Sequence, residues 1–300
     1  MDMSETPLVS IIMNCYNGEK YLREALDSVM AQTYQNWELI FWDNQSTDKS
    51  AEIFNSCNDN RFKYFVAPNH SLLYEARNYA IEKASGEFYA FLDVDDWWSP
   101  EKLEKQIPLF ADPEVGMVYG NYRFVNENKG TRKTLYKNHL PTGRILNELL
   151  EKYVAGLLTL VIRRQSFESL DYPFEPQYHI IGDFDLVVRL AVTWKMDCVQ
   201  SPIASYRWHG ANESLLQKER YLSEMKKWIS EMNENHSIST QEGFKKIGEL
   251  YLYMKAMNWI EKNNINETLK IFWKMPFNKG KLKLLAALTL PQFMLKALRM

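Results

Sequence analysis

The sequence predicts an α/β fold: a Rossmann-like, mostly parallel sheet flanked by helices, followed by an all-helical C-terminal extension. Up to about residue 125, short apolar runs alternate with amphipathic stretches of helical period. Repeated units of that kind build parallel sheets covered on both faces. Beyond residue 212 the strand-like runs stop and only helical periodicity continues.

The strand-like segments are residues 8–13, 37–42, 62–66 and 87–92, all short and rich in β-branched or aromatic residues. Between the first two, Tyr21, Leu22, Ala25, Leu26, Val29 and Met30 form one apolar stripe of a helix over 19–32. Ser46, Thr47 and Asp48 are cap-type residues before a second helix. Residues 72–84 repeat the helical pattern through Leu73, Ala76, Tyr79, Ala80 and Ala84. Ser99-Pro100-Glu101 predicts another helix start, with Pro at the first helical position and an acid near the positive end of the dipole. Strands are expected over 115–125 and 158–162, and a helix over 182–194. The tail predicts helices over 215–233, 241–263, 265–275 and 280–298.

Composition removes several function classes. Hydrophobic residues make up 46% and charged residues 25% of the 300, which excludes wholesale disorder and a polytopic membrane protein. A net charge of -2 gives no push toward nucleic acid, so no such partner is expected. Cys15, Cys57 and Cys198 and the five histidines are dispersed, against both structural zinc and a disulfide framework. No run approaches the roughly 20 apolar residues of a membrane span, and the start reads as a polar lead into a strand. A reducing, cytoplasmic setting is the expectation. Aromatic residues reach 14%, which fits either a heavy core or a surface that stacks on flat ligands and sugar faces.

In parallel sheets ligands bind beyond the carboxyl ends of the strands. That directs attention to residues 14–17, 43–46 and 93–96. Asp93, Asp95 and Asp96 crowd one strand end, and in an extended segment Asp93 and Asp95 share a side. Carboxylates that close repel unless a positive group sits between them, a place suited to Mg2+ or Mn2+; the alternative is a set of loop and cap residues. Asp43 by itself reads as an Asx-turn and cap, and Arg77 as a surface ion pair with Glu75 or Glu82. Asp183, at a helix start, gains about 0.3–1 kcal/mol from the dipole without any catalytic role. His209 lies in a glycine-containing loop.

Taken together, these segments resemble the family 2 glycosyltransferases, inverting sugar transferases with the GT-A fold. VSIIMNCYNGEKYLREALDSVMAQTYQNWELI, DNQSTDKS and EARNYAIEKASGEFYAFLDVDDWW follow in the family's order over nearly all of residues 8–110, and GDFDLVVRLA comes later. The resemblance implies that Cys15, Tyr16 and Asn17 line the nucleotide, with Asp43 on the base and Arg77 nearby. It places Asp93 toward the ribose and donor sugar, Asp95 on the metal, and His209 as a metal or phosphate contact. Asp183 becomes the catalytic base; Asp185, the nearby rival, has Arg189 as an i,i+4 partner. The sequence departs from the family at Asn14-Cys15 (usually Pro-Thr), Asp43-Asn44-Gln45 (Asp-Asp-Gly) and Gly182-Asp183 (Glu-Asp), and it lacks the processive Gln-x-x-Arg-Trp.

The implied reaction moves one sugar from a nucleotide-diphosphate donor, a UDP-sugar by default, to a glycan or lipid-linked acceptor in bacterial surface polysaccharide assembly. Mg2+ or Mn2+ is the implied cofactor. Rival readings are a non-catalytic nucleotide-sugar-binding module and a sugar-nucleotidyltransferase, although residues 15–19 are not the glycine-rich basic loop the latter wants. The expected division is a catalytic domain over 1–212, with a nucleotide-sugar half (1–112) and an acceptor half (113–212), then the helical extension over 213–300. Tyr16, Trp97 and Trp98 are candidates for stacking on base or sugar. Residues 276–300 carry Lys279, Lys281, Lys283, Lys296 and Arg299 and no acid. Such a basic amphipathic stretch suits peripheral contact with the inner face of a membrane, or docking on the catalytic domain or a second subunit.

Overall fold

The computed structural model describes residues 6–210, 212 and 217–289. The chain divides into two compact units, one of residues 1–149 and 153–217, the other of residues 150–152 and 218–300.

In the first unit, β1 (Val9–Cys15), β2 (Trp37–Asp43), β3 (Phe62–Val66) and β4 (Phe88–Phe91) run parallel, linked by α1 (Leu22–Met30), α2 (Ser50–Asn55) and α3 (Leu73–Ile81). Every residue of β1, β2 and β4 is buried, as strands covered on both faces should be. The other half holds β5 (Trp97–Trp98), β6 (Val115–Asn126), β7 (Thr131–Thr134), β8 (Val161–Arg163) and β9 (Lys195–Trp208). With it come α4 (Lys102–Gln106), α5 (Leu146–Glu151), α6 (Arg164–Glu168) and α7 (Gly182–Thr193). The sheet order is β3-β2-β1-β4-β8-β6-β9-β5, with β7 paired to β6. From β1 the chain moves outward to β2 and β3, then crosses back to place β4 on the opposite side of β1. That reversal opens a crevice beyond the carboxyl ends of β1 and β4.

Two sequence expectations shift here. The helix expected at Ser99-Pro100-Glu101 starts at Lys102 instead. Trp97 and Trp98 pair with Ser205 and Ala204, and Ser99 N donates to Ile203 O at 2.9 Å, so the chain stays on the sheet past the cap signal. The strand expected over 158–162 is shortened to Val161–Arg163 by a 3-10 turn at Leu157–Thr159.

The second unit is helical: α8 (Lys218–Met232), α9 (His236–Ser239), α10 (Glu242–Glu261), α11 (Ile265–Lys274) and α12 (Lys279–Thr289). Ala256, Ile260, Ile271, Met275, Leu284 and Ala287 form its core. The Asn264 side chain caps α11 by accepting from Glu267 N at 3.2 Å. Trp228 is fully buried beside Phe244, which accounts for one of the tail's tryptophans. The end of the last expected helix, residues 290–298, lies outside the described residues.

Lys102 is fully buried, its Nζ 2.7 Å from Gln106 Oε1 and 4.1 Å from the centre of the Trp98 ring. Burial pushes its ammonium well below the usual lysine range. The unfolded chain holds this proton up to pH ~10.4 and the folded chain holds it less readily, so stability should rise with pH toward that value and level off above it. Lys102→Met should abolish that slope and stabilise the fold at pH 7 by about 1–3 kcal/mol, read from urea unfolding at several pH values.

Candidate active site

The crevice is a cavity of about 800 Å³ lined by residues from both halves of the first unit. Residues following β1 and β4, one face of α3, the start of α7 and the end of β9 all open into it.

The acidic cluster is a turn and not the extended segment expected from its position, because Asp96 N bonds back to Asp93 O at 3.1 Å. Asp93 and Asp95 still both line the cavity. Arg77 Nη2 lies 2.5 Å from Asp93 Oδ1 with only 3% of the arginine exposed, so Arg77 is a buried partner of the cluster and not a surface ion pair with Glu75 or Glu82. His209 Nε2 lies 3.0 Å from Asp95 Oδ2. Burial, reinforced by the Asp93 charge, pushes the Asp95 carboxyl above its usual range. Asp96 is buried and pushed further up by burial and Asp95.

Arg207 holds this turn from the β9 side. Its Nε donates to Asp95 O and its backbone N to Asp96 Oδ1, each at 2.8 Å. Nη1 donates to Glu127 at 2.6 Å, Nη2 donates to Glu24, and the rings of Tyr21 and Trp97 lie about the guanidinium at 4.5 and 4.4 Å. Trp97 is thus engaged with Arg207, and Trp98 is buried with Nε1 bonded to Leu158 O at 2.8 Å; neither lines the cavity.

Asp183 sits in the first turn of α7. Tyr74 Oη donates to its Oδ1 at 3.1 Å. Burial raises the Asp183 carboxyl, while the Arg77 charge and the Tyr74 hydrogen bond oppose the rise. Asp185 pairs with Arg189 at 2.8 Å. A Cβ at Gly182 would lie 2.5 Å from Tyr74 Cδ2. The missing side chain at position 182 is therefore what leaves room for the ring that partners Asp183.

The structure thus brings Tyr16, Asn17, Arg77, Asp93, Asp95, Asp183 and His209 to one cavity. Cys15 and Asp43 do not line it. Cys15 turns into the core with Sγ 3.8 Å from Ser46 Oγ, and Asp43 is buried, accepting from Ser46 N at 2.7 Å and Tyr64 Oη at 2.5 Å. Tyr16 is 55% exposed, 4.4 Å ring to ring from His70. Sequence reasoning gave Asn14 no role beyond its place at the end of the first strand, and it missed Tyr74 and Arg207. Asn14 lines the cavity with both amide atoms buried and unpartnered, a group that ligand binding could satisfy. Tyr74 was legible only as a residue one helical turn before Arg77. Arg207 stood within the Tyr-Arg-Trp-His segment that drew attention to His209.

The model of glycosyl transferase family 2 matches residues 10–170. The chain belongs to that family. It is 37% identical over 167 residues to the Escherichia coli UDP-Glc:alpha-D-GlcNAc-diphosphoundecaprenol beta-1,3-glucosyltransferase WfgD, covering 56% of this chain and 64% of that one. It is 31% identical over 169 residues to the putative teichuronic acid biosynthesis glycosyltransferase TuaG of Bacillus subtilis, covering 56% and 66%. The matched stretch therefore falls just short of two thirds of those relatives' length. Among solved structures, S. aureus TarS 1-349 in complex with UDP-GlcNAc aligns with a TM-score of 0.65 at 15% identity, over 90% of this chain and 93% of that one. The mannosyltransferase PcManGT of Pyrobaculum calidifontis, in complex with GDP-Man and Mn2+, aligns at 0.64 and 17%, over 96% and 82%. The fold is GT-A.

The Gly182–Tyr74 fit makes a compensation test. Gly182→Ala should destabilise by about 1–3 kcal/mol through overpacking against Tyr74. Gly182→Ala/Tyr74→Ala should cost less than the sum of the single changes, as neighbours in contact do, when all four proteins are compared by urea unfolding.

Proposed function

We propose that this chain is a metal-dependent, inverting glycosyltransferase that moves one sugar from a nucleotide-diphosphate donor, a UDP-sugar by default, to a hydroxyl of a glycan or lipid-linked acceptor in bacterial surface polysaccharide assembly. The observation that carries the reading is that Asp183 and the Asp93, Asp95 and His209 set open into one cavity. The relatives' names, one specifying a diphosphoundecaprenol-linked sugar and one teichuronic acid biosynthesis, support the acceptor class and the pathway. UDP-GlcNAc in one structural neighbour supports the default donor.

Asp93 and Asp95, with the imidazole of His209, fit a hard divalent cation, and the like-charge strain on Asp95 is what such an ion would relieve. Among the described residues no group of three or more His, Cys, Asp and Glu side chains is arranged as a complete metal cluster. Mg2+ and Mn2+ sites of this kind are completed by substrate phosphates. When bound, the cation supplies Lewis-acid stabilisation of the departing diphosphate. Arg77 holds Asp93 in place, and Arg207 fixes the Asp95 carbonyl and the Asp96 carboxylate. An acceptor hydroxyl is a poor nucleophile at neutral pH, and the Asp183 carboxylate takes its proton as attack proceeds. Inversion follows from attack on the face opposite the leaving group.

Burial raises the Asp183 carboxyl, so kcat/KM should rise with pH through that raised value and then level off. Tyr74→Phe removes a hydrogen bond that favours the carboxylate, so it should move the rise to higher pH. Asp183→Asn should cut sugar transfer about 10²–10⁴-fold while calorimetry shows nucleotide-sugar binding with Mn2+ unchanged. Near-normal transfer by a folded Asp183→Asn would remove Asp183 as the base.

The proposal extends to peripheral contact with an anionic membrane surface through the helical unit. Ile265, Leu269 and Trp273 are exposed at i, i+4 and i+8 on α11, and Phe277 follows at 82% exposed. Lys270, Lys274, Lys279, Lys281 and Lys283 accompany them, and no acid follows Glu267. Aromatic rings beside lysines suit the headgroup region of an anionic bilayer. Among the described residues no helix is long and apolar enough to cross a membrane. Of the basic tail, residues 290–300 lie outside the described residues. In co-sedimentation, the full chain should bind vesicles containing phosphatidylglycerol and not pure phosphatidylcholine. Trp273→Ser/Phe277→Ser should weaken that binding at least tenfold, whereas a salt-insensitive result equal on both lipids would count against the contact.

A further inference from the structure

The lining of the cavity is chemically divided. Residues 14–96 bring to it Lys20, Arg77, Asp93, Asp95 and Asp96, the charged groups suited to a nucleotide diphosphate and its counter-ion. Residues 122–206 bring four tyrosines, Tyr122, Tyr136, Tyr153 and Tyr206, and no Lys or Arg. The tyrosines form a wall. Tyr122 on β6 meets Tyr136 at 6.0 Å and 82°, and Tyr206 on β9 at 6.5 Å and 73°, ring to ring. The segment carrying Tyr153 runs close against that wall, since a Cβ at Gly156 would come within 3.2 Å of Tyr122 Cε1. The Tyr153 ring packs edge-on, at 5.3 Å, against Phe184, the neighbour of Asp183. Its hydroxyl is buried without a hydrogen-bond partner.

We infer that this tyrosine-lined end is the subsite for the acceptor sugar, and that it takes an electrically neutral pyranose. The inference rests on the reading of Asp183 as the base. Pyranose rings present C–H faces that pack on aromatic rings and a rim of hydroxyls that needs hydrogen-bond partners. A wall of rings with an unpartnered Tyr153 hydroxyl meets both needs. A phosphate or uronate at this end would call for a Lys or Arg, and residues 122–206 of the lining supply His179 as their one titratable base, with no Lys or Arg, while Asp183 opposes a negative charge. The division also gives the reacting hydroxyl its place: a sugar stacked here stands in the same cavity as Asp183.

Saturation-transfer NMR on the full chain, with and without UDP and Mn2+, tests this with the methyl glycosides of glucose, galactose, mannose and N-acetylglucosamine, and with glucuronate and glucose 1-phosphate as anionic controls. At least one neutral glycoside should bind and the anionic sugars should not. Its affinity should fall at least tenfold in Tyr136→Ala and about threefold in Tyr153→Phe, with UDP binding unchanged by calorimetry. Binding of no neutral glycoside, equal binding by the variants, or equal binding of the anionic sugars would overturn the subsite. Failure of UDP to bind the unmodified protein with Mn2+ would strike the donor reading instead, and the arm without nucleotide would still decide the subsite.

Discussion

Three carboxylates within four residues, at the end of a strand buried on both faces, repel one another strongly enough that the surrounding structure must be built around holding them. Two arginines do this from opposite directions. Arg77 reaches from α3 to Asp93, and Arg207 reaches from β9 to Asp95 O and Asp96. Asp96 is buried and hydrogen-bonded to the backbone of Arg207, which ties the turn to β9. Arg207 also binds Glu24 and Glu127, joining α1, β9 and the turn after β6 around one guanidinium. Truncating Arg77 would remove the positive charge beside Asp93 and the buried Asp183, the costly case for buried ion pairs, whereas the Asp96 hydrogen bond to the Arg207 backbone N would survive loss of that side chain.

The topology explains why these groups meet where they do. β4 lies on the opposite side of β1 from β2 and β3, so the loops leaving β1 and β4 diverge and leave a crevice between them. α3 lies against this crevice, and residues three apart share a helix face. Tyr74 and Arg77 use that spacing, one reaching Asp183 and the other Asp93. A single helical face thus sets the environment of both the proposed base and the donor-side carboxylate. Glycine at position 182 belongs to the same arrangement, since any side chain there would displace Tyr74.

Much of this was legible in the sequence, for identifiable reasons. Strands β1, β2 and β4 are buried on both faces, so they read as continuous apolar runs, and the stripe of α1 is regular. The carboxylates Asp93, Asp95 and Asp183 stood out because acids directly after apolar runs or at a helix start are conspicuous. β9 was legible only as a strand of no stated bounds before the His209 loop: Asp197, Gln200, Ser201 and Pro202 interrupt its alternation, and its register against β6 slips between Gly120 and Tyr122. Arg77 read as a surface residue because nothing local reveals a partner sixteen residues away. Cys15 faces the core for a simpler reason, since it alternates with Asn14 along β1 and only one of the two can face the crevice. In the tail, the buried Trp228 and the exposed Trp273 look alike in sequence, and only their burial separates core from surface.

Arg77 also links the two ends of the cavity electrostatically. It pairs with Asp93 and at the same time lowers the Asp183 carboxyl against the effect of burial. A donor diphosphate brings further negative charge to this neighbourhood. Uncompensated, that charge would compete for Arg77 and raise Asp183 further, weakening the carboxylate that the proposed reaction needs ionised. Under that proposal, the demand for a counter-ion at Asp93 and Asp95 and the demand for an ionised Asp183 are one electrostatic problem, met through a shared arginine. A tyrosine wall that brings no Lys or Arg of its own fits that solution, because it can hold a neutral sugar while adding no charge to the balance.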